Sequence, residues 1–315
     1  MSQIFNEQDV IDFSQYMDET DHRQTVKSAS LYAQGLLDHF ENPPPVRHRY
    51  MPWTKTNRLI QFRPGEVTVW GGENGGGKSL ITGQVALSLA AQEEKICIAS
   101  FEMKPMRTVA RMARQWTHLD LNAPTYRDMD RERLRDLHEQ YRDWLKGKVW
   151  LYDKQGTVKW PNVIAMAKFA ARQLGCHQIF IDNLGKCVQG EDDYNGQKEF
   201  MDSACAVARD EDVHIHIVHH VKKPSSPTAK PDKYAFKGTG AITDQPDNVI
   251  AVWRNKAKER QQHPSRDEAD TLLIVDKQRN GDGWEGEIAL WYEPISQQFV
   301  GSHDAKPMTF YGGEQ

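Results

Sequence analysis

The sequence predicts an α/β fold: a mostly parallel central sheet flanked by helices, with antiparallel strands at one edge. Three observations predict it. From Gly65 onward, short apolar runs alternate with amphipathic segments, the pattern of parallel strands joined by crossover helices. The stretch GGENGGGKSL, Gly71 to Leu80, fits a phosphate-binding loop between a strand and a helix. In the last quarter, strand-like runs follow one another with only turns between them, which favours antiparallel pairing.

Composition sets the bounds. A chain of 315 residues, 38% of them hydrophobic, suits one large domain with a small appendage. The longest apolar runs, such as VIAMAKFAA, are short and interrupted by lysine, and MSQIFNEQDV has neither a basic nor an apolar leader pattern. A soluble, non-secreted, cytoplasmic protein without a membrane partner is therefore expected. Cys97, Cys176, Cys187 and Cys205 are scattered without a CxxC pair, which argues against a disulfide framework or a zinc ribbon. The formal net charge of −4 leaves nucleic acid open as a partner, because a local basic strip is enough to meet phosphates.

Residues 1–48 read as a polar extension. Within it TVKSASLYAQGLLDHF forms a helix with Leu31, Leu36, Leu37 and Phe40 on one stripe, ended by Pro43-Pro44-Pro45. Residues 49–303 form the core and 304–315 a tail. In the core, EVTVWGG is a strand and KSLITGQVALSLAAQ a helix. KICIASF is the next strand, followed by a helix from Met106 to Trp116. DMDRERLRDLHEQYRDWLKG is a solvated helix with a narrow apolar stripe, KVWLYD a strand, and VIAMAKFAARQLG a helix stopping at Gly175. HQIFIDNLG and VHIHIVHH are buried strands separated by a helix from Tyr194 to Asp210. NVIAVWRN, DTLLIVDKQ and EGEIALWY are the closely spaced edge strands.

Gly72, Gly77, Lys78 and Ser79 meet the template G-x4-G-K-[ST]. Backbone N–H groups from Gly72 through Gly75, Gly76 and Gly77 to Leu80 can turn toward the phosphates of ATP or another NTP. Lys78 then reaches the β and γ oxygens, and Ser79 ligates Mg²⁺. Asp182, after the apolar run Ile179-Phe180-Ile181, supplies the metal-side carboxylate. Many ATPases of this kind carry a catalytic glutamate next, but position 183 is asparagine. The base is sought elsewhere, and Glu102 stands at the carboxyl end of KICIASF, the edge where ligands bind. That placement belongs to RecA-type ATPases rather than to kinases or GTPases.

Three further stretches are IVHHVKKP, KGTGAITDQPDNVIAVWRN and VDKQRNGDGWEGEIALWY. Together with GENGGGKS, SFEM and IFIDNL, in this order, they resemble the RecA-like motor domain of the DnaB-type replicative DNA helicases, including phage primase-helicases and the mitochondrial replicative helicase. The resemblance spans roughly residues 50 to 300. It implies a homo-oligomer, a hexameric ring around single-stranded DNA with nucleotide between adjacent subunits. It also implies NTP-driven 5′ to 3′ translocation in the replication of a phage or mobile element, beside primase, polymerase and loader.

Residue by residue, the resemblance makes Lys78 and Ser79 the phosphate and Mg²⁺ contacts, Glu102 the base and Asp182 the metal-side carboxylate. It makes His220, or His219 in the neighbouring register, the γ-phosphate sensor. Arg279 with Lys277 becomes the pair offered in trans to the neighbour's nucleotide. Arg254 falls near the nucleotide base, with stacking from an aromatic among Trp291 and Tyr292. The segment before the core offers no room for a primase domain, so priming is not expected, and its helix is the candidate for docking on an adjacent subunit.

Between His220 and Gly240 lie Lys222, Lys223, Lys230, Lys233 and Lys237, with Asp232 the only acid. A basic loop attached to the γ-phosphate sensor can act as a lever on a DNA backbone, aided by amides of Gly238, Thr239 and Gly240. A RecA-like DNA-dependent ATPase that mediates recombination without unwinding is the alternative reading of the same residues.

Overall fold

The computed structural model describes residues 28–43, 49–120, 130–190, 192–223, 226 and 228–310. Residues 1–27, Pro44, Pro45, Pro224, the side chain of Leu31, Asp128, Met129 and residues 311–315, on which some sequence expectations fall, lie outside those described. The chain divides into two compact units, Met1–His48 and Arg49–Gln315.

In the first unit, helix α1 (Ala29–Glu41) starts at Ser28, whose hydroxyl accepts the N–H of Ser30. This satisfies one of the donors that a helix start leaves over. Leu36, Leu37 and Phe40 on its stripe are exposed, at 66%, 57% and 85%.

The second unit holds a nine-stranded sheet in the order β3-β2-β4-β5-β1-β6-β7-β8-β9. The strands are β1 (Val67–Gly72), β2 (Ile96–Ser100), β3 (Val149–Leu151), β4 (Gln178–Asp182), β5 (His214–Val218), β6 (Asn248–Arg254), β7 (Thr271–Gln278), β8 (Gly286–Glu293) and β9 (Gln298–Val300). Strands β3 through β6 in that spatial order are parallel, and β7, β8 and β9 extend the sheet antiparallel. The mostly parallel sheet with an antiparallel edge is the architecture the sequence predicts.

The helices are α2 (Lys78–Ala91), α3 (Pro105–Thr117), α4 (Arg131–Leu145), α5 (Trp160–Arg172), α6 (Tyr194–Asp210), and the single turns α7 (Ala241–Asp244) and α8 (Lys256–Glu259). Both faces of the central strands are buried, so β1, β2 and β5 are apolar or neutral at every position rather than alternating. Trp70, Ile98, Phe180 and Val218 join one core with Ile81 and Val85 of α2, Met112 and Trp116 of α3, and Tyr141 of α4. Residues between them, such as Val69, Ile179 and Ile217, turn to the other side by the two-residue period of a strand. Trp53, ahead of the sheet, donates its indole N–H to the Phe299 carbonyl at 2.7 Å and fastens the start of this unit to β9.

Among the described residues, no helix is long and apolar enough to cross a membrane.

Candidate nucleotide-binding and catalytic site

Strand register decides which side chains meet. Ser100 of β2 lies beside Asp182 of β4, Asp182 beside Val218 of β5, and Val218 beside Trp70 of β1. The chain therefore leaves four neighbouring strands at one level. Glu102, Asn183, His220 and the phosphate loop, each one to four residues beyond, converge at the carboxyl edge of the sheet.

The loop turns on glycines. Gly75 and Gly77 have φ of 70° and 90°, left-handed values that favour glycine, and Gly77 caps α2. The amino end of α2 thus points its N–H groups into a cleft of about 900 Å³. Asn74 to Leu80, Glu102, Arg111, Asp182, His220, Arg254 and Tyr292 line it, closed by Glu259, Asp270, Thr271, Pro294, Gln297 and Phe299.

Lys78 reaches across the loop. Its ammonium donates to the carbonyls of Gly72 and Glu73, both at 2.8 Å, and stands 3.3 Å from His220 Nδ1. Burial lowers its pKa to about 8, although Asp182, Glu102 and Glu73 pull it upward, so it remains mostly cationic near neutrality. Asp182 is shifted upward, first by burial and then by the charge of Glu102. The Ser79 hydroxyl, Lys78 and Arg111 oppose that shift. Ser79 and Asp182 thus place two hard oxygens side by side. They suit Mg²⁺, which takes few protein oxygens and fills its octahedron with water and phosphate. Among the described residues no group of three or more His, Cys, Asp or Glu forms a self-sufficient metal cage.

The acid side of the cleft is tied together by an amide. Asn183, 2% exposed, donates through Nδ2 to Glu102 Oε1 at 2.7 Å and lies 3.2 Å from His220 Nε2. His219 turns away, with Nε2 2.8 Å from the Lys237 carbonyl. Of the two histidines left open by the sequence, His220 is the one in the cleft.

Arg254 also reaches the loop, donating from Nη1 to the Gly75 carbonyl at 3.0 Å, while its Nε pairs with Glu259. Lys256 pairs with Glu73. Tyr292 lines the cleft beside Phe299, with ring centroids 5.3 Å apart. Trp291, on the opposite face of β8, is not in the cleft. Its indole N–H goes to the Arg266 carbonyl and the Lys55 ammonium lies over its ring.

Lys277 and Arg279 stand elsewhere. Lys277 donates to the carbonyls of Thr243 and Asp244, and Arg279 contacts the Asp247 carboxylate at 3.3 Å. Asp247 also accepts the N–H of Val67 at the start of β1. The phosphate loop follows the other end of that strand, about 16 Å away at the rise of an extended chain.

The basic segment adjoins the site. Val221 N–H reaches the Gly72 carbonyl, Lys237 N–H reaches the His220 carbonyl, and Val221 bridges Phe236. Lys222, Lys223 and Lys230 are exposed, while Lys233 and Lys237 are half-buried. Lys230 pairs with Glu287 at 2.8 Å, and Lys233 lies over the Tyr234 ring. Gly238, Thr239 and Gly240 sit near α6, where the Thr239 N–H is taken by Gln197 Oε1.

Sequence reasoning missed Arg111. Arg107, Arg111 and Arg114 recur at spacings of four and three, so a helical face of arginines was readable. Only packing divides their roles: Arg107 is exposed, Arg114 donates to the carbonyls of Pro294 and Ile295, and Arg111 faces Asp182.

The family described as DnaB-like helicase C terminal domain matches residues 54–301. No curated protein sequence matches the chain. Among solved structures, one described as an ATPase domain superposes with a TM-score of 0.73 at 14% identity, over 87% of this chain and 99% of that one. A DnaB-like replicative helicase, described with its interactions with primase, gives 0.68 at 14% identity, over 87% of this chain and 67% of that one.

Proposed function

The chain belongs to the family of DnaB-like helicase C-terminal domains, an ATP-hydrolysing DNA helicase of the replicative type, and on that premise we propose how its residues divide the work. Residues 49–303 are the motor, 1–48 a subunit-docking extension and 304–315 a tail. The nucleotide lies in the cleft over α2, its phosphates against the loop amides and Lys78, its base toward Tyr292 and Arg254. Ser79 and the carboxylate of Asp182 would hold Mg²⁺, which would supply charge neutralisation at the phosphates. Glu102 orients the attacking water and takes its proton, and His220 senses the terminal phosphate.

Arg279 carries the quaternary part of the reading. It sits at the amino end of β1, on the far side of the sheet edge from its own phosphate loop, so a role at a nucleotide requires a neighbouring subunit. This supports a closed ring in which Lys277 and Arg279 complete the next subunit's site, acting on the transition-state charge. The ring encloses single-stranded DNA, tracked by Lys222, Lys223 and their neighbours, with 5′ to 3′ polarity, in a phage or mobile-element replication cycle within the cytoplasm.

The test mixes Arg279→Ala subunits into wild-type protein at increasing fractions. Turnover is expected to fall faster than in proportion to the wild-type fraction. A strictly proportional fall removes the in-trans role. Unwinding of a forked duplex with each tail blocked in turn then reads the polarity.

A further inference from the structure

Where many related ATPases keep a second acid, this chain has Asn183, and its amide lies between two groups otherwise treated as separate parts. Nδ2 is 2.7 Å from Glu102 Oε1 and 3.2 Å from His220 Nε2. The remaining ring nitrogen of His220 is 3.3 Å from Lys78 Nζ. With His220 Nε2 accepting from Asn183, the neutral ring carries its proton on Nδ1, so the Lys78 ammonium is a close neighbour there and not a donor to it, and the hydrogen-bonded chain is His220–Asn183–Glu102.

We propose that Asn183 is a positioning residue that couples the γ-phosphate sensor to the general base. The inference rests on reading Glu102 as the base and His220 as the sensor. An NH₂ group has two hydrogens, and with His220 in its Nδ1–H tautomer both have an acceptor, one on each functional side chain. Asn183 is 2% exposed, so its amide has little access to water if a partner moves away. A buried amide that loses an acceptor pays the full cost of desolvation, so it follows the acceptor or releases the other one. A shift of the imidazole on meeting a phosphate is therefore passed to the Glu102 carboxylate, whose aim sets its reach to water. Aspartate at 183 has the same shape but no donors, and would place a second carboxylate against Glu102.

The experiment uses the full chain with single-stranded DNA and measures kcat, KM and the affinity for Mg-ADP. The variants are Asn183→Ala, Asn183→Asp, His220→Ala and the Asn183→Ala/His220→Ala double, with Glu102→Gln as control. Asn183→Ala and Asn183→Asp are expected to lower kcat about 10- to 100-fold, the scale of a misplaced catalytic group. KM and ADP affinity should stay within about twofold of wild type. The double variant should be no slower than the slower single, because either cut breaks the same chain. Fold-losses that multiply, an unchanged kcat, or a loss shared equally by ADP binding would overturn the coupling. Normal turnover by Glu102→Gln would instead remove the reading on which it rests. An inactive Glu102→Gln beside multiplying losses removes the coupling alone.

Discussion

The ring of Phe236 rests on the backbone of Gly71, so closely that a Cβ at position 71 would overlap it. Gly71 is in β1 immediately ahead of the phosphate loop, and Phe236 closes the basic segment through its bridge to Val221. Glycine is needed here for close approach, not for its dihedral freedom. The contact makes the loop and the basic segment mechanically continuous. Gly71→Ala should push Phe236 off, and Phe236→Leu should loosen the same contact without the cost of about 3–5 kcal/mol expected for a full truncation to alanine. In both, the ratio of DNA-stimulated to basal ATPase should fall toward one while ADP still binds. Undiminished stimulation in both would show that coupling runs by another route.

Lysines in the basic segment are not equivalent. Lys230 is neutralised by Glu287, whereas Lys222 and Lys223 are exposed beside the cleft. Each phosphate contact to a single strand contributes about 0.7 to the slope of log K against log salt. Lys222→Ala/Lys223→Ala is expected to flatten the slope by about 1.4, and Lys230→Ala by less. Titrations of a labelled oligonucleotide at several salt concentrations measure this, and equal slopes in all variants would detach the segment from DNA binding.

Acid should destabilise the core through two histidines of β5. His214 and His216 are fully buried, and burial lowers His214 to about 3 and His216 well below its ordinary 6.5. Burial holds both neutral and their side-chain partners suit the uncharged rings, although the Arg63 carbonyl, 2.7 Å from His214 Nδ1, acts the other way. Trp70 donates to His216 Nδ1, Gln178 Oε1 lies 3.0 Å from its Nε2, and Thr68 lies 2.8 Å from His214 Nε2. The unfolded chain takes up these protons near pH 6.5 and the folded chain does not. Stability is therefore intact above pH 6.5 and declines as pH falls from there toward 3, by up to about 1.4 kcal/mol per pH unit for each histidine. Asp276, pushed up to about 6, works in the opposite sense between pH 6 and its ordinary 3.8. Denaturant midpoints at pH 7.5 and 5.5 measure the difference, and His214→Gln should make it smaller.

Much of the fold and of the site is legible in the sequence. ICIAS, QIFID and HIHIV are buried on both faces and so read as parallel strands, and GGENGGGKSL declares its loop by glycine spacing alone. Other features depend on what lies across the sheet. Position 183 announced only a missing acid, because its two acceptors arrive from strands 81 and 37 residues away. Trp291 and Tyr292 are equally aromatic, and only the parity of β8 turns one of them to the cleft. β9, three residues long, is too short to show a period.

Arg111 yields the last prediction. It half-buries its guanidinium in the wall of the cleft, where burial lowers its pKa and the charge of Asp182 holds it up. The relation is mutual, since Arg111 also works against the upward shift of Asp182. A planar cation beside the Asp182 carboxylate can hold that carboxylate ionised and face phosphate oxygens at the same time. Arg111→Ala removes both effects, and a charge-assisted hydrogen bond from Arg111 to a phosphate oxygen would contribute about 1.5–3 kcal/mol. Nucleotide affinity should fall roughly 10- to 100-fold, at about 1.4 kcal/mol per tenfold. Arg111→Lys keeps the charge but not the fork, and should fall between wild type and alanine. Binding of a fluorescent nucleotide to the three proteins measures it. Equal affinity in Arg111→Ala and wild type would return Arg111 to the role of a helix-face arginine that merely packs.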